Sequence, residues 1–161
     1  LLLLEHQQRR LVEQPHRLAV LGAGFMGAGV ASVSLGRCPV VLKDISDEAL
    51  GAGIRTIEKG LVAQTRAGAV TKREADRRRS ALLPTTDNAD LVGADLVVEA
   101  VFEDLELKRR VLAETEAVIA EDTVFASNTS SIPIGGLDEK LDPWMSAIHD
   151  AVVALTERSS T

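Results

Sequence analysis

The sequence contains no tyrosine, one tryptophan, three phenylalanines and a single cysteine in 161 residues. One cysteine excludes an internal disulfide framework. His6, His16 and His149 are scattered without ligand spacing, so no metal-ligand cluster is expected either. A reducing, cytoplasmic location is the expectation that follows. Positive charge is also scarce: 18 Lys and Arg stand against 24 Asp and Glu, a net charge of -6. This balance argues against nucleic acid as a partner, and Arg77-Arg78-Arg79 is too short a basic patch to reverse it. That triplet is read as a solvated helix face. The apolar run Leu1 to Leu4 is far too short to span a bilayer or to serve as the apolar region of a signal peptide, so a soluble chain without a membrane span is expected.

What is present is apolar content of 45%, enough for one domain with a sizeable core. The front, LLLLEHQQRRLVEQ, reads as a helix running toward Pro15, begun without a cap as if inside a longer protein. From there RLAVL (17 to 21) and PVVLKD (39 to 44) are β-branched runs flanking a glycine-punctuated stretch of helical length. Helical regions follow from about Asp47 to Ala67 and Thr71 to Ala81. LLPTTD (82 to 87), DLVVEAV (95 to 101), a helix from about Leu105 to Ala120 and TVFAS (123 to 127) complete the alternation. Strands apolar throughout, alternating with helices, indicate a parallel sheet covered on both faces: an α/β, Rossmann-type doubly wound fold.

The first turn, LGAGFMGAG, places Gly22, Gly24 and Gly27 in G-x-G-x-x-G spacing. Alone this spacing is weak, because a glycine-rich turn also lets a strand and helix pack closely. Here it follows a strand, opens a helix and precedes Asp44 at the end of the next strand, the context of a dinucleotide site. Gly22 suits a tight turn, Gly24 lets backbone approach a pyrophosphate, and Gly27 permits helix–sheet packing. Asp44 is placed to accept hydrogen bonds from ribose hydroxyls and to repel a 2′-phosphate, which favours NAD over NADP. FAD proteins share the fingerprint.

In VVEAVFEDLELKRR (97 to 110), Asp104 is expected to cap a helix, leaving Glu103 on the crest where open α/β sheets bind ligands. Glu99 interrupts a buried strand and is read first as an acceptor for nearby backbone amides. Lys108, with Arg109 and Arg110, has an ordinary explanation as one of three solvated cations. The run Ser127, Asn128, Thr129, Ser130 and Ser131 directly follows an apolar strand, and its bland reading is a solvated turn.

These motifs, AVLGAGFMGAGVA, VVLKD, DLVVEAVFEDLELKRRVLAE and DTVFASNTSSIPI, in this order, resemble the NAD-binding domain of L-3-hydroxyacyl-CoA dehydrogenases, most closely that of the multifunctional fatty acid oxidation proteins. The resemblance runs from about Arg17 to Ile134. It implies oxidation of an L-3-hydroxyacyl-CoA with hydride passing to NAD, in β-oxidation. It implies that Met26, Asp44, Val101, Phe102, Glu103 and Lys108 serve NAD and that Ser130 is the active-site serine, beside the nicotinamide and the substrate hydroxyl. Residues 1–15 would then be a connecting helix from an upstream hydratase domain, residues 16–137 the dinucleotide-binding domain and residues 138–161 a divergent, helical tail. The family's downstream helical domain does not match here, nor do its general-base histidine and the glutamate that holds it.

His149 lies 19 residues past Ser130, near the family's spacing. It sits instead beside an apolar helical stripe of Met145, Ile148, Val152 and Leu155 after an Asp142-Pro143 start, and is not expected to be the base. Coenzyme A contacts are not recognisable in GAGIRTIEKGLVAQTRAG (51 to 68). Two alternatives therefore stay open: an NAD-linked dehydrogenase of a related hydroxy acid, and a module that binds NAD without turnover.

Overall fold

The computed structural model describes residues 15–128. Ser130, His149, the expected tail over residues 138–161 and all but Pro15 of the expected connecting helix lie outside the described residues. Within them the chain runs β1 (Leu18–Leu21), α1 (Phe25–Ser34), β2 (Val40–Lys43), α2 (Asp47–Arg66), α3 (Lys72–Ser80), β3 (Leu82–Thr85), β4 (Leu96–Glu99), α4 (Leu105–Glu116) and β5 (Val124–Ser127). The strands form one sheet in the order β3-β2-β1-β4-β5, every neighbouring pair parallel. The expected doubly wound α/β architecture is what the chain adopts.

The covering of both faces follows from side-chain alternation. Leu18, Val20, Val40 and Leu42 point to one face and pack with Ala28, Ala31 and Leu35 at and beyond α1 and with Leu50, Ile57 and Leu61 of α2. Ala19, Leu21, Val41 and Val97 point to the other and meet Leu91 and Val111. Each fully buried Leu or Ile contributes roughly 1.5–3 kcal/mol. That explains why strands of only four residues hold together, and why β1 and β2, wholly buried, show no polar alternation. Cys38 belongs to the first cluster, and burial pushes its thiol up from the ordinary range, consistent with a packing role.

Two departures from the expected elements have local causes. A 3-10 turn at Asn88–Leu91 was not foreseen; Asp87 caps it by accepting from the Ala89 amide, and it buries Leu91. The last helix stops at Glu116 instead of near Ala120, because Val118 and Ile119 turn inward against the second core cluster. β3 lies at the sheet edge, where Pro84 is tolerated. Arg77, Arg78 and Arg79 do lie on a helix, but not as free solvated cations: Glu74 pairs with the first two, and Glu58 and Asp76 with the third. Among the described residues, no helix is long and apolar enough to cross a membrane.

Candidate functional site

The glycine loop is built by steric exclusion. Gly22 has φ +99°, which L side chains rarely adopt, and a Cβ there would lie 2.6 Å from the Ala100 carbonyl oxygen. A Cβ on Gly27 would overlap the Gly22 carbonyl oxygen, so α1 can start against β1 only with glycine at that position. Gly24 is different: nothing lies within 4 Å of its missing side chain. The space a side chain would fill there is open, on the face where α1 begins. α2, α3 and α4 each have a side-chain cap (Ser46, Thr71 and Asp104) and an acidic residue in the first turn. α1 has neither; its N-cap is Gly24 itself. Amides at an uncapped helix start, with roughly half a positive charge behind them, suit a phosphate group.

Asp44 follows β2 on the opposite wall. Its Oδ2 accepts from the Ala23 amide at 2.6 Å and its Oδ1 from the Ile45 amide at 2.7 Å. The carboxylate thus braces the glycine loop while keeping lone pairs for further donors such as ribose hydroxyls. From behind, α2 closes on the same loop through Gly53, where a Cβ would come within 2.7 Å of the Ala23 carbonyl oxygen.

The carboxyl end of β4 carries a buried polar cluster. Glu99 and Lys108 are each 1% exposed, with Lys108 Nζ 2.7 Å and 3.0 Å from the two carboxylate oxygens. Oε1 also accepts from the Val101 amide at 2.7 Å, and Oε2 from the Ser127 hydroxyl at 2.6 Å. Lys108 further donates to the Asn128 carbonyl at 3.3 Å and lies 3.7 Å from Glu103. Glu99 is therefore an acceptor for a neighbouring backbone amide, as expected. The solvated-cation reading of Lys108 is corrected: Lys108, Val111, Leu112 and Thr115 form the buried stripe of α4, and Glu99 supplies the charge that makes a lysine tolerable in it. That stripe, at steps of three and four residues, was the signal available in the sequence. Asp104 caps α4 as expected, accepting from the Leu107 amide.

A cleft of about 580 Å³ runs between these walls. Gly22, Gly24, Met26, Asp44, Val101, Phe102 and Glu103 all line it, together with Asn128 at the end of β5. Gly27 and Lys108 stand behind its surface, the first as a packing position and the second through its partners. Phe102 and Ile45 are 83% and 85% exposed at its rim, offering apolar surface to a ring system. The open cradle, the uncapped helix start and the Asp44 carboxylate together fit a dinucleotide. Two contributors escaped the sequence reading. Gly53 belongs to no motif, although three glycines in a helix of 20 residues hint at close packing. Ser127 was read only as part of a polar run, whereas its hydroxyl points inward to Glu99.

Comparison with known proteins agrees with this geometry. Residues 17–148 match the family model for the 3-hydroxyacyl-CoA dehydrogenase NAD binding domain. Among solved structures, FadB2 from M. tuberculosis is similar with 42% identity and a TM-score of 0.74, over 78% of this chain and 45% of that one. The 3-hydroxybutyryl-CoA dehydrogenase of Escherichia coli is similar with 38% identity and a TM-score of 0.74, over 78% of this chain and 27% of that one. A 5-formyl-3-hydroxy-2-methylpyridine 4-carboxylic acid 5-dehydrogenase, an NAD+-dependent dismutase, is similar with 30% identity and a TM-score of 0.63, over 76% of this chain and 39% of that one. The chain spans less than half the length of each of these proteins. With an NAD cradle of this construction and a family match over most of its length, the chain belongs to the NAD-binding domain family of the 3-hydroxyacyl-CoA dehydrogenases.

Proposed function

We propose that this domain serves an L-3-hydroxyacyl-CoA dehydrogenase of fatty acid β-oxidation, of the multifunctional kind, with a hydratase domain before it and a helical domain after it, in the cytoplasm. The observation that carries the reading is the cleft, whose walls come from the glycine loop, Asp44, the Val101–Glu103 crest and the end of β5. NAD, when bound, supplies the acceptor for the hydride leaving the hydroxyl-bearing carbon. The chain's own residues do the holding. Gly22, Gly24 and the start of α1 receive the pyrophosphate, Asp44 the adenine-side ribose, and Met26, Val101, Phe102 and Glu103 the remainder. Lys108 supports this wall from within. Ser130, two residues beyond Asn128, is assigned to hydrogen-bond the substrate hydroxyl and orient it.

The hydroxyl proton needs a base, and His149 is not assigned that role; the family's histidine and glutamate have no match in this sequence. The 161-residue chain is therefore expected to bind NADH and to leave 3-hydroxybutyryl-CoA unoxidised. Fluorescence titration with NADH and an absorbance assay of NADH formation test the two halves of that statement. Turnover that disappeared in His149→Ala would refute it. A second reading has support from the dismutase similarity: a relative with this cofactor domain acts on a pyridine carboxylic acid instead of an acyl-CoA. Turnover of hydroxy acids lacking coenzyme A by a longer form of the protein would favour that reading.

A further inference from the structure

We propose that Glu99 and Lys108 form a buried strut that fixes the β4 crest to the β5 crest, which makes Glu99 a positioning residue for the nicotinamide half of the cofactor. Glu99 does not line the cleft, so it can act on a ligand only through its partners. Those partners are the two crests themselves. One carboxylate oxygen holds the Val101 amide and the other holds the Ser127 hydroxyl. The Glu99 carbonyl also accepts from the Asn128 amide at 2.7 Å, and Lys108 reaches the Asn128 carbonyl. Both backbone groups of Asn128 are thus held by this one ion pair's residues. Val101 and Asn128 line the cleft, whereas the pair beneath them is sealed from water. Every Glu99 oxygen in the cluster carries a donor, and the charge of Lys108 is met by carboxylate, so the cluster has few alternative arrangements at similar energy.

The sheet order divides the effect. β2, which leads to Asp44, lies on one side of β1, and β4 and β5 lie on the other. A dinucleotide laid across the switch point between β1 and β4 puts its adenine ribose at Asp44, on the β2 side, and its nicotinamide over the crests the strut controls. The strut rests on that placement of NAD, and its test separates the two. NADH and ADP-ribose, which lacks the nicotinamide ring, are titrated into the 161-residue chain and into Glu99→Gln, a variant of equal shape without the charge. The expected result is about tenfold weaker NADH binding, the scale of one charge-assisted hydrogen bond, with ADP-ribose within about twofold of wild type. Equal weakening of both ligands, or no weakening of either in a folded variant, overturns the strut while leaving the cleft as the NAD site. Wild-type protein that binds neither ligand overturns the placement of NAD and the strut with it. Should Glu99→Gln fail to fold, Ser127→Ala keeps the ion pair and removes only the link to β5. It is expected to weaken NADH by about threefold and to spare ADP-ribose; unchanged NADH binding overturns the proposal.

Discussion

Replacing Asp44 separates the bracing of the glycine loop, which its carboxylate performs, from the ribose binding proposed for it. In the folded chain it accepts from the Ala23 and Ile45 amides, one on each oxygen, which leaves about two lone-pair directions for ribose hydroxyls. Hydrogen bonds to a charged acceptor contribute about 1.5–3 kcal/mol each when buried; in an open cleft, where water competes, each falls to about 1 kcal/mol, or about 2 kcal/mol for the pair. At 1.4 kcal/mol per factor of ten, Asp44→Ala should weaken NADH about 30-fold. NADPH should respond differently, because the same substitution removes a negative charge facing its 2′-phosphate, and its affinity should hold or improve. Loss of the bond to Ala23 leaves the amide of a buried residue without its acceptor, a cost of about 1 kcal/mol or more, or about 2–4 °C in Tm for a chain of this size. Parallel fluorescence titrations with NADH and NADPH, alongside a melting curve, read all three quantities. A loss of the same factor for both nucleotides would refute the ribose assignment and leave Asp44 as a brace for the loop alone.

The helical glycines predict opposite signs. Gly60→Ala, where the new methyl meets only Ser32 Oγ at 3.8 Å, should raise stability by about 0.5–1 kcal/mol through helix propensity, whereas Gly53→Ala should lower both stability and NADH affinity because it presses on Ala23. Gly27→Ala should be worse, costing about 1–3 kcal/mol or more in urea unfolding, since only backbone could give way. Lys108→Met should cost about 3–5 kcal/mol by stranding the Glu99 carboxylate, and adding Glu99→Gln to it should recover part of that loss. Hydrogen bonds from Arg77 and then Arg78 hold the Glu74 carboxyl down to about 2. A carboxyl lowered in the folded state stabilises above its unfolded value of 4.5, and the benefit disappears as pH falls toward about 2. The small Tm gap between wild type and Glu74→Gln should therefore close over that window and shrink with salt, because the pair is exposed. In a catalytically complete longer protein, Ser130→Ala should lower turnover by about ten- to a thousandfold with adenine-side binding intact; wild-type turnover would return Ser130 to a solvated turn.

Most of the sheet was legible because its strands are apolar on both faces and punctuated by glycine or a cap residue; each of the five was anticipated to within two residues at either end. The glycine loop was legible for a related reason: steric exclusion leaves only glycine at Gly22 and Gly27, so the constraint appears in the sequence. Residue type alone points Lys108 toward solvent, whereas its place in the repeat with Val111, Leu112 and Thr115 points it inward. Its partner Glu99 lies on another element, nine residues earlier, and the two meet only because the chain turns back from the end of β4 into α4. Gly53 was invisible for the same kind of reason, since its partner Ala23 is 30 positions earlier and only the fold brings the two together.

The proline in β3 bears on how copies of this domain can meet. Ala81 and Thr85 direct their carbonyls at β2, accepting from the Val40 and Asp44 amides. Alternation along the strand therefore turns residues 82 and 84 outward, and Pro84 has no N–H to offer there. An incoming strand would find one of the two outward donor positions blank and the ring of Pro84, itself exposed, in its path. The margin of the sheet on this side is thereby sealed against growth, and Leu83, 44% exposed in the same strand, is kept from nucleating a continuous sheet between molecules. Pro84→Val should be silent in NADH binding and audible in light scattering on gentle heating, because it would restore the missing donor without touching the cleft.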